Sequence, residues 1–143
     1  MRNWAAKDLS ALATTAQTDV DSTGMDMSGY DGAIFLVLPG AIDATGTVTA
    51  TLEQSSDDGS SDAYAALTGA TLAWTAADDN KLGALQISKP RLRYVRCSVA
   101  RGVANSVLNP IIGILYKGRG PQPLAATVVA EQGHTVVVSP AES

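Results

Sequence analysis

The chain has one cysteine, one histidine and only 5% aromatic residues among 143. Each shortage excludes something. A lone Cys97 allows no intrachain disulfide, so stability must come from packing or from partners. One His and one Cys cannot supply a Cys/His metal cluster, and His134 sits in a turn-like setting near the C-terminus. No G-x-x-x-x-G-K-[ST] loop, G-x-S-x-G elbow or H-E-x-x-H helix occurs. Lys7 and Asp8 break the apolar character of the first residues, so a secretory leader is not expected there. No window approaches the roughly 18 apolar residues of a membrane span. These shortages predict a soluble, non-enzymatic protein made in a cytoplasm, with no cofactor, no metal, no catalytic residue and no membrane partner.

What is present is an apolar fraction of 45% made mainly of Val, Leu, Ile and Ala, accompanied by Thr, Ser, Gly and Asp. That mixture suits short strands and frequent turns. A chain of this size buries about 68–70% of its unfolded surface and needs one core. The strongest strand signals are residues 85–100, LQISKPRLRYVRCSVA, and residues 111–116, IIGILY. The connection between them carries Gly102, Asn105, Asn109 and Pro110, which bend backbones. The two read as neighbouring core strands. The first is expected to kink at Pro90 and, because its apolar residues change face, to bulge or cross between sheets. Cys97 within it reads as a small buried hydrophobe.

Further strands follow from periodicity. Residues 33–38, AIFLVL, are apolar throughout, which predicts a central strand covered on both faces. In residues 47–53 Val48, Ala50 and Leu52 alternate with Thr47, Thr49, Thr51 and Glu53, the pattern of a half-buried strand. Residues 64–75 carry Leu67, Leu72 and Trp74 around a turn at Thr68-Gly69, and residues 76–80 read as a loop. Residues 2–16 have fair helix propensity and predict a short helical turn, marginal unless docked. The chain divides into an N-terminal arm over 1–19, a β-sandwich core over 20–117 and a C-terminal arm or hairpin over 118–143. The fold class is all-β, an antiparallel sandwich or jelly-roll-like barrel with extended terminal arms.

Charge is unevenly distributed. Between Asp8 and Asp79 every charged residue is acidic, and between Lys81 and Arg119 every one is basic. Such halves either steer copies or partners together or pair within one subunit as adjacent strands. Nucleic acid is a poor expectation for the basic cluster, given the net charge of −4 and the few aromatics. The acids of QSSDDGSSD, including Asp57, Asp58 and Asp62, invite a calcium reading, but their spacing does not follow the EF-hand loop and a solvated turn explains them. Candidate interface residues are Arg2 and Trp4 in the first arm, Lys89, Arg91, Arg93, Arg96 and Arg101 in the basic strand, and Val136, Val137 and Val138 in the last segment. A bare valine run needs a cover, either as a hairpin on its own sheet or as strands added to a neighbour.

Three segments in order, DVDSTGMDMSGYDGAIFLVLPGAI, TATLEQSSDDGSSDAYAAL, and AADDN followed by KPRLRYVRCSVA, resemble the small β-rich head proteins of tailed bacteriophages, in particular capsid decoration or cement proteins. The resemblance covers about residues 20–116, and the tail after Lys117 departs from it. It implies a virion protein on the capsid surface, a homotrimer bound to the major capsid protein that clamps the shell against internal pressure. A tail-tube, connector or fibre component and, from another class, a carbohydrate-binding β-sandwich are the alternatives.

Overall fold

A computed structural model describes residues 5–8 and 14–116, with side chains from Ala16 onward. Twelve strands run β1 Ala5–Asp8, β2 Thr14–Ala16, β3 Val20–Asp21, β4 Met25–Asp26, β5 Gly32–Val37, β6 Pro39–Ile42, β7 Thr47–Ser55, β8 Ala65–Thr75, β9 Gly83–Ser88, β10 Tyr94–Gly102, β11 Ser106–Leu108 and β12 Ile112–Tyr116. A single 3-10 turn at Ala76–Asp78 is the only helical element among the described residues. All strand pairs are antiparallel. The protein is an all-β sandwich, and no closed barrel forms.

One ladder has the order β3-β10-β7-β8, with β4 also on β10; the others are β1-β12-β5-β9 and β2-β11-β6. The last two share chain passes, which leave one ladder and enter the other at Leu38 between β5 and β6 and at Asn109–Ile111 between β11 and β12. Pro39 and Pro110 cannot donate to a ladder, so pairing changes where they stand. Asn109 fastens the bend by donating both its backbone N–H (3.2 Å) and its side-chain amide (3.0 Å) to the Leu38 carbonyl.

The core lies between these layers. Ala33, Phe35, Val37, Leu85 and Leu115 meet Val48, Ala50, Leu52, Trp74, Val95, Cys97 and Val99, all at or below 9% exposure. The alternation expected of Val48, Ala50 and Leu52 and the burial of Cys97 both hold. Trp74 closes one side, its indole N–H donating to the Lys81 carbonyl (3.0 Å) and its ring lying over Gly83, where a Cβ would stand 2.2 Å from Cζ2.

Several expectations are corrected. Residues 85–100, read as one strand, are two, β9 and β10; of the bulge or crossing between sheets expected there, it is the crossing that forms, at the loop around Pro90. Neither pairs with β12; β5 lies between β12 and β9. The connection after β10 is more than a bend, for β11 lies within it. β5 is covered on one face: Ala33, Phe35 and Val37 are buried, while Ile34 and Leu36 are only partly so, beside Ile112 at 41% exposure. The expected helical turn near the N-terminus is instead strand, β1 pairing with β12 and β2 with β11, because an exposed ladder edge offers every backbone group a partner that a short helix cannot. Residues 64–75 do not reverse at Gly69; β8 continues through it, with Gly69 at φ +81 and a register shift opposite Thr51 and Glu53, a bulge.

The Trp74–Gly83 contact gives a test. Gly83→Ala should destabilise the fold by about 1–3 kcal/mol, the range for overpacking a filled site, read as a lower denaturant midpoint with altered near-ultraviolet dichroism of the tryptophans. An unchanged midpoint would show that the indole is not seated on Gly83.

Candidate functional site

The basic run of the sequence is spread by the fold into different environments. In β10, Val95, Cys97, Val99 and Arg101 share the buried face, because side chains alternate along a strand. Arg101 is therefore an interior residue, 4% exposed. Its guanidinium donates to the carbonyls of Thr18 (2.7 Å) and Ser106 (3.1 Å) and to the Thr18 hydroxyl (3.3 Å), tying the chain before β3 to β11. A buried guanidinium needs such acceptors to offset its lost hydration. As a candidate interface residue Arg101 is misplaced.

Arg96 lies on the opposite face of β10. It bonds Glu53 of β7 (2.7 Å) and Asp21 of β3 (3.1 Å), with its guanidinium 4.3 Å from the centre of the Tyr64 ring. The Tyr64 hydroxyl donates to Asp58, and burial together with that bond pushes its pKa above the ordinary phenol value. Arg93 makes a two-pronged pair with Asp26, Nε to Oδ1 at 3.0 Å and Nη2 to Oδ2 at 2.7 Å. Lys81 bonds Asp78 (2.8 Å). The acidic and basic halves of the sequence thus meet within one chain, since β10 is flanked by the acid-bearing strands β3, β4 and β7.

Lys89 and Arg91 remain. Both are exposed, in the loop between β9 and β10, and neither has an anionic partner among the described residues. With Arg93 they border a groove of about 420 Å³ floored by Met27 and flanked by Tyr30 and Leu92. The fold therefore brings Lys89, Arg91 and Arg93 together and separates Arg96 and Arg101 from them. Arg2, Trp4, Val136, Val137 and Val138 lie outside the described residues. Asp21, Asp26 and Glu53, which decide which cations are occupied, carry no local signal of that role, because their partners Arg96 and Arg93 are far along the chain, 43 residues for Glu53 and 67 for Asp26, and are reached only through strand register.

The acidic loop closes on itself. Asp57 accepts the N–H groups of Ser60, Ser61 and Asp62, which hold its carboxyl below the usual range, and Asp62 accepts that of Ser56 (2.8 Å). Among the described residues no group of three or more His, Cys, Asp or Glu side chains is placed to hold a metal ion. No helix of the described residues is long and apolar enough to cross a membrane.

No family model matches the chain, and no curated relative does. Among solved structures it is similar to the PBSX exported protein XepA, with a TM-score of 0.56 at 15% identity over 93% of this chain. The chain spans 42% of the length of that protein. A TNF structure, Eiger from S. frugiperda, matches 66% of this chain and 64% of its own at 12% identity, with a TM-score of 0.35. The likeness to XepA establishes a shared fold.

Two measurements check the site. Arg93 hydrogen-bonds the Asp26 carboxyl and, against the opposing effect of burial, holds it below the usual range; Lys81 and Thr75 hold Asp78 down to about 2. A carboxylate with a lowered folded pKa stabilises the fold above its unfolded pKa of about 3.9, and that contribution is lost as pH falls through the folded value. Melting temperature should be level above about pH 5 and fall between about pH 4 and 2. Asp26→Asn should cost no more than about 1 kcal/mol at neutral pH, the pair being half exposed, and should make the acid fall shallower; an unchanged acid limb would remove Asp26 from the account.

Burial, with Glu53 and Asp21 nearby, pushes the Cys97 thiol up to about 12. The native protein should leave a thiol reagent unreacted at pH 8 and consume one equivalent only in denaturant. Rapid native labelling would contradict the packed position of Cys97.

Proposed function

We propose that this protein is a structural component of a tailed-phage virion, without catalytic activity, that binds the outer surface of the capsid as a homo-oligomer, a trimer, and stabilises contacts between major capsid protein subunits. The observation that carries the reading is that the three segments bearing the phage resemblance supply the layers and loops of the sandwich. β3 to β6 come from the first segment, most of β7 and the acidic loop from the second, and the 3-10 turn and most of β10 from the third. A fold of the same kind occurs in a phage-exported protein, and this supports a phage origin. The surface chemistry is compatible with docking: among the described residues Lys81, Arg93, Arg96 and Arg101 are partnered within the chain, while one groove keeps Lys89 and Arg91 in solvent. A shell presents many equivalent positions, so modest contacts made by a linked oligomer gain through multivalency.

The test is reconstitution. Purified protein added to shells assembled without it should co-sediment at a fixed stoichiometry and raise the temperature at which the shells disassemble. Light scattering of the free protein should give a trimer mass. A monomer that leaves shell stability unchanged would overturn the reading, and selective binding on a glycan array would replace it with the carbohydrate-binding one.

A further inference from the structure

The turn after β4 and the loop before β10 are fastened together at both ends. Met27 donates its N–H to the Arg93 carbonyl (2.7 Å), Lys89 donates its own to the Asp31 carbonyl (2.6 Å), and Tyr30 closes the turn by donating to Met27 (3.0 Å). Lys89 is held in the left-handed region, at φ 50, where a residue with a Cβ rarely rests unless its surroundings fix it. Pro90 stiffens the next step. The walls of the groove are thus set before any partner arrives, which lowers the ordering cost of binding.

Its chemistry is specific. Asp26 already neutralises Arg93, so the charge left for a partner is that of Lys89 and Arg91, two exposed cations above the apolar floor of Met27 and Leu92. Carboxylates are the complement of the first feature and aliphatic stems of the second. A polyphosphate backbone fits less well, because it has no aliphatic stem to place against Met27 and Leu92. We propose that this groove is the docking surface for an acidic loop of a protein partner, with Lys89 and Arg91 receiving its carboxylates. Resting on the virion reading, that partner is the major capsid protein, and this end of the sandwich faces the shell.

The variant Lys89→Glu with Arg91→Glu tests this, since both side chains are exposed and outside the internal ion pairs, so its melting temperature should match that of the parent. Its binding to shells should fall at least tenfold, and parent binding should weaken with salt. In a separate arm, isotope-labelled full chain is titrated with a dodecapeptide of alternating Glu, Asp and Leu and with a single-stranded oligonucleotide of equal charge. The peptide should shift amide resonances of residues 27–31 and 88–93, and the oligonucleotide should bind more weakly. Shell binding retained by the double variant overturns the groove while leaving the virion reading intact. Failure of the parent to bind shells, with the peptide still shifting the groove, overturns the virion reading alone. Peptide shifts elsewhere, or tighter oligonucleotide binding, overturn the acidic-loop assignment.

Discussion

A strand that carries arginines can occupy the middle of a sheet only if their charges are met where they stand. β10 satisfies this with acids from its neighbours: Glu53 of β7 and Asp21 of β3 close on Arg96 from two sides, and just ahead of the strand Asp26 of β4 takes Arg93. The inner face of the same strand supplies Val95, Cys97 and Val99 to the core and ends in Arg101, whose guanidinium bonds the carbonyls of Thr18 and Ser106. Register, core and electrostatics therefore depend on one another. A one-residue slip of β10 against β7 would turn its valines and Arg101 outward and bring Arg96 into the core.

The edge of β10 opposite β7 shows how that register is kept across an interruption. Asp21 pairs with Ser98 and Met25 with Val95, one residue more on the outer side than on β10. Ser22 fills the gap, donating its N–H to the Cys97 carbonyl (2.9 Å) and accepting the Cys97 N–H on its hydroxyl (2.9 Å). The ladder stays satisfied through the bulge. Gly24 follows, where a side chain would collide with the Tyr64 hydroxyl at 2.0 Å, so the acidic loop can approach and place Tyr64 beneath Arg96.

Charge satisfaction also selects the surface. Each pair neutralises a cation within the chain, and among the described residues the groove between residues 27–31 and 88–93 is where cations stay without an anionic partner. The segregation of acids and bases along the sequence is thus mainly a device for joining adjacent strands. Among the described residues Lys89 and Arg91 are left over, in the loop where the chain crosses from one sheet to the other.

Local pattern determined much of this protein. Alternation marked Val48, Ala50 and Leu52 as core and put Cys97 inside, since a period of two is a property of the strand itself. Arg101 lies two residues past Val99 on the same face, yet its charge placed it among the interface candidates, and only the structure shows it buried. The change of face around Pro90 signalled a bulge or a crossing between sheets, and the crossing is what forms. Only the tertiary structure decided which strands are neighbours: that β5 separates β9 from β12, that β1 and β2 are strands, and that Arg93 and Arg96 are occupied while Lys89 and Arg91 are not. The reason is physical. Periodicity is written within a few residues, whereas pairing depends on groups far apart in the chain competing for the same edge, and that competition is settled by the packing of the whole.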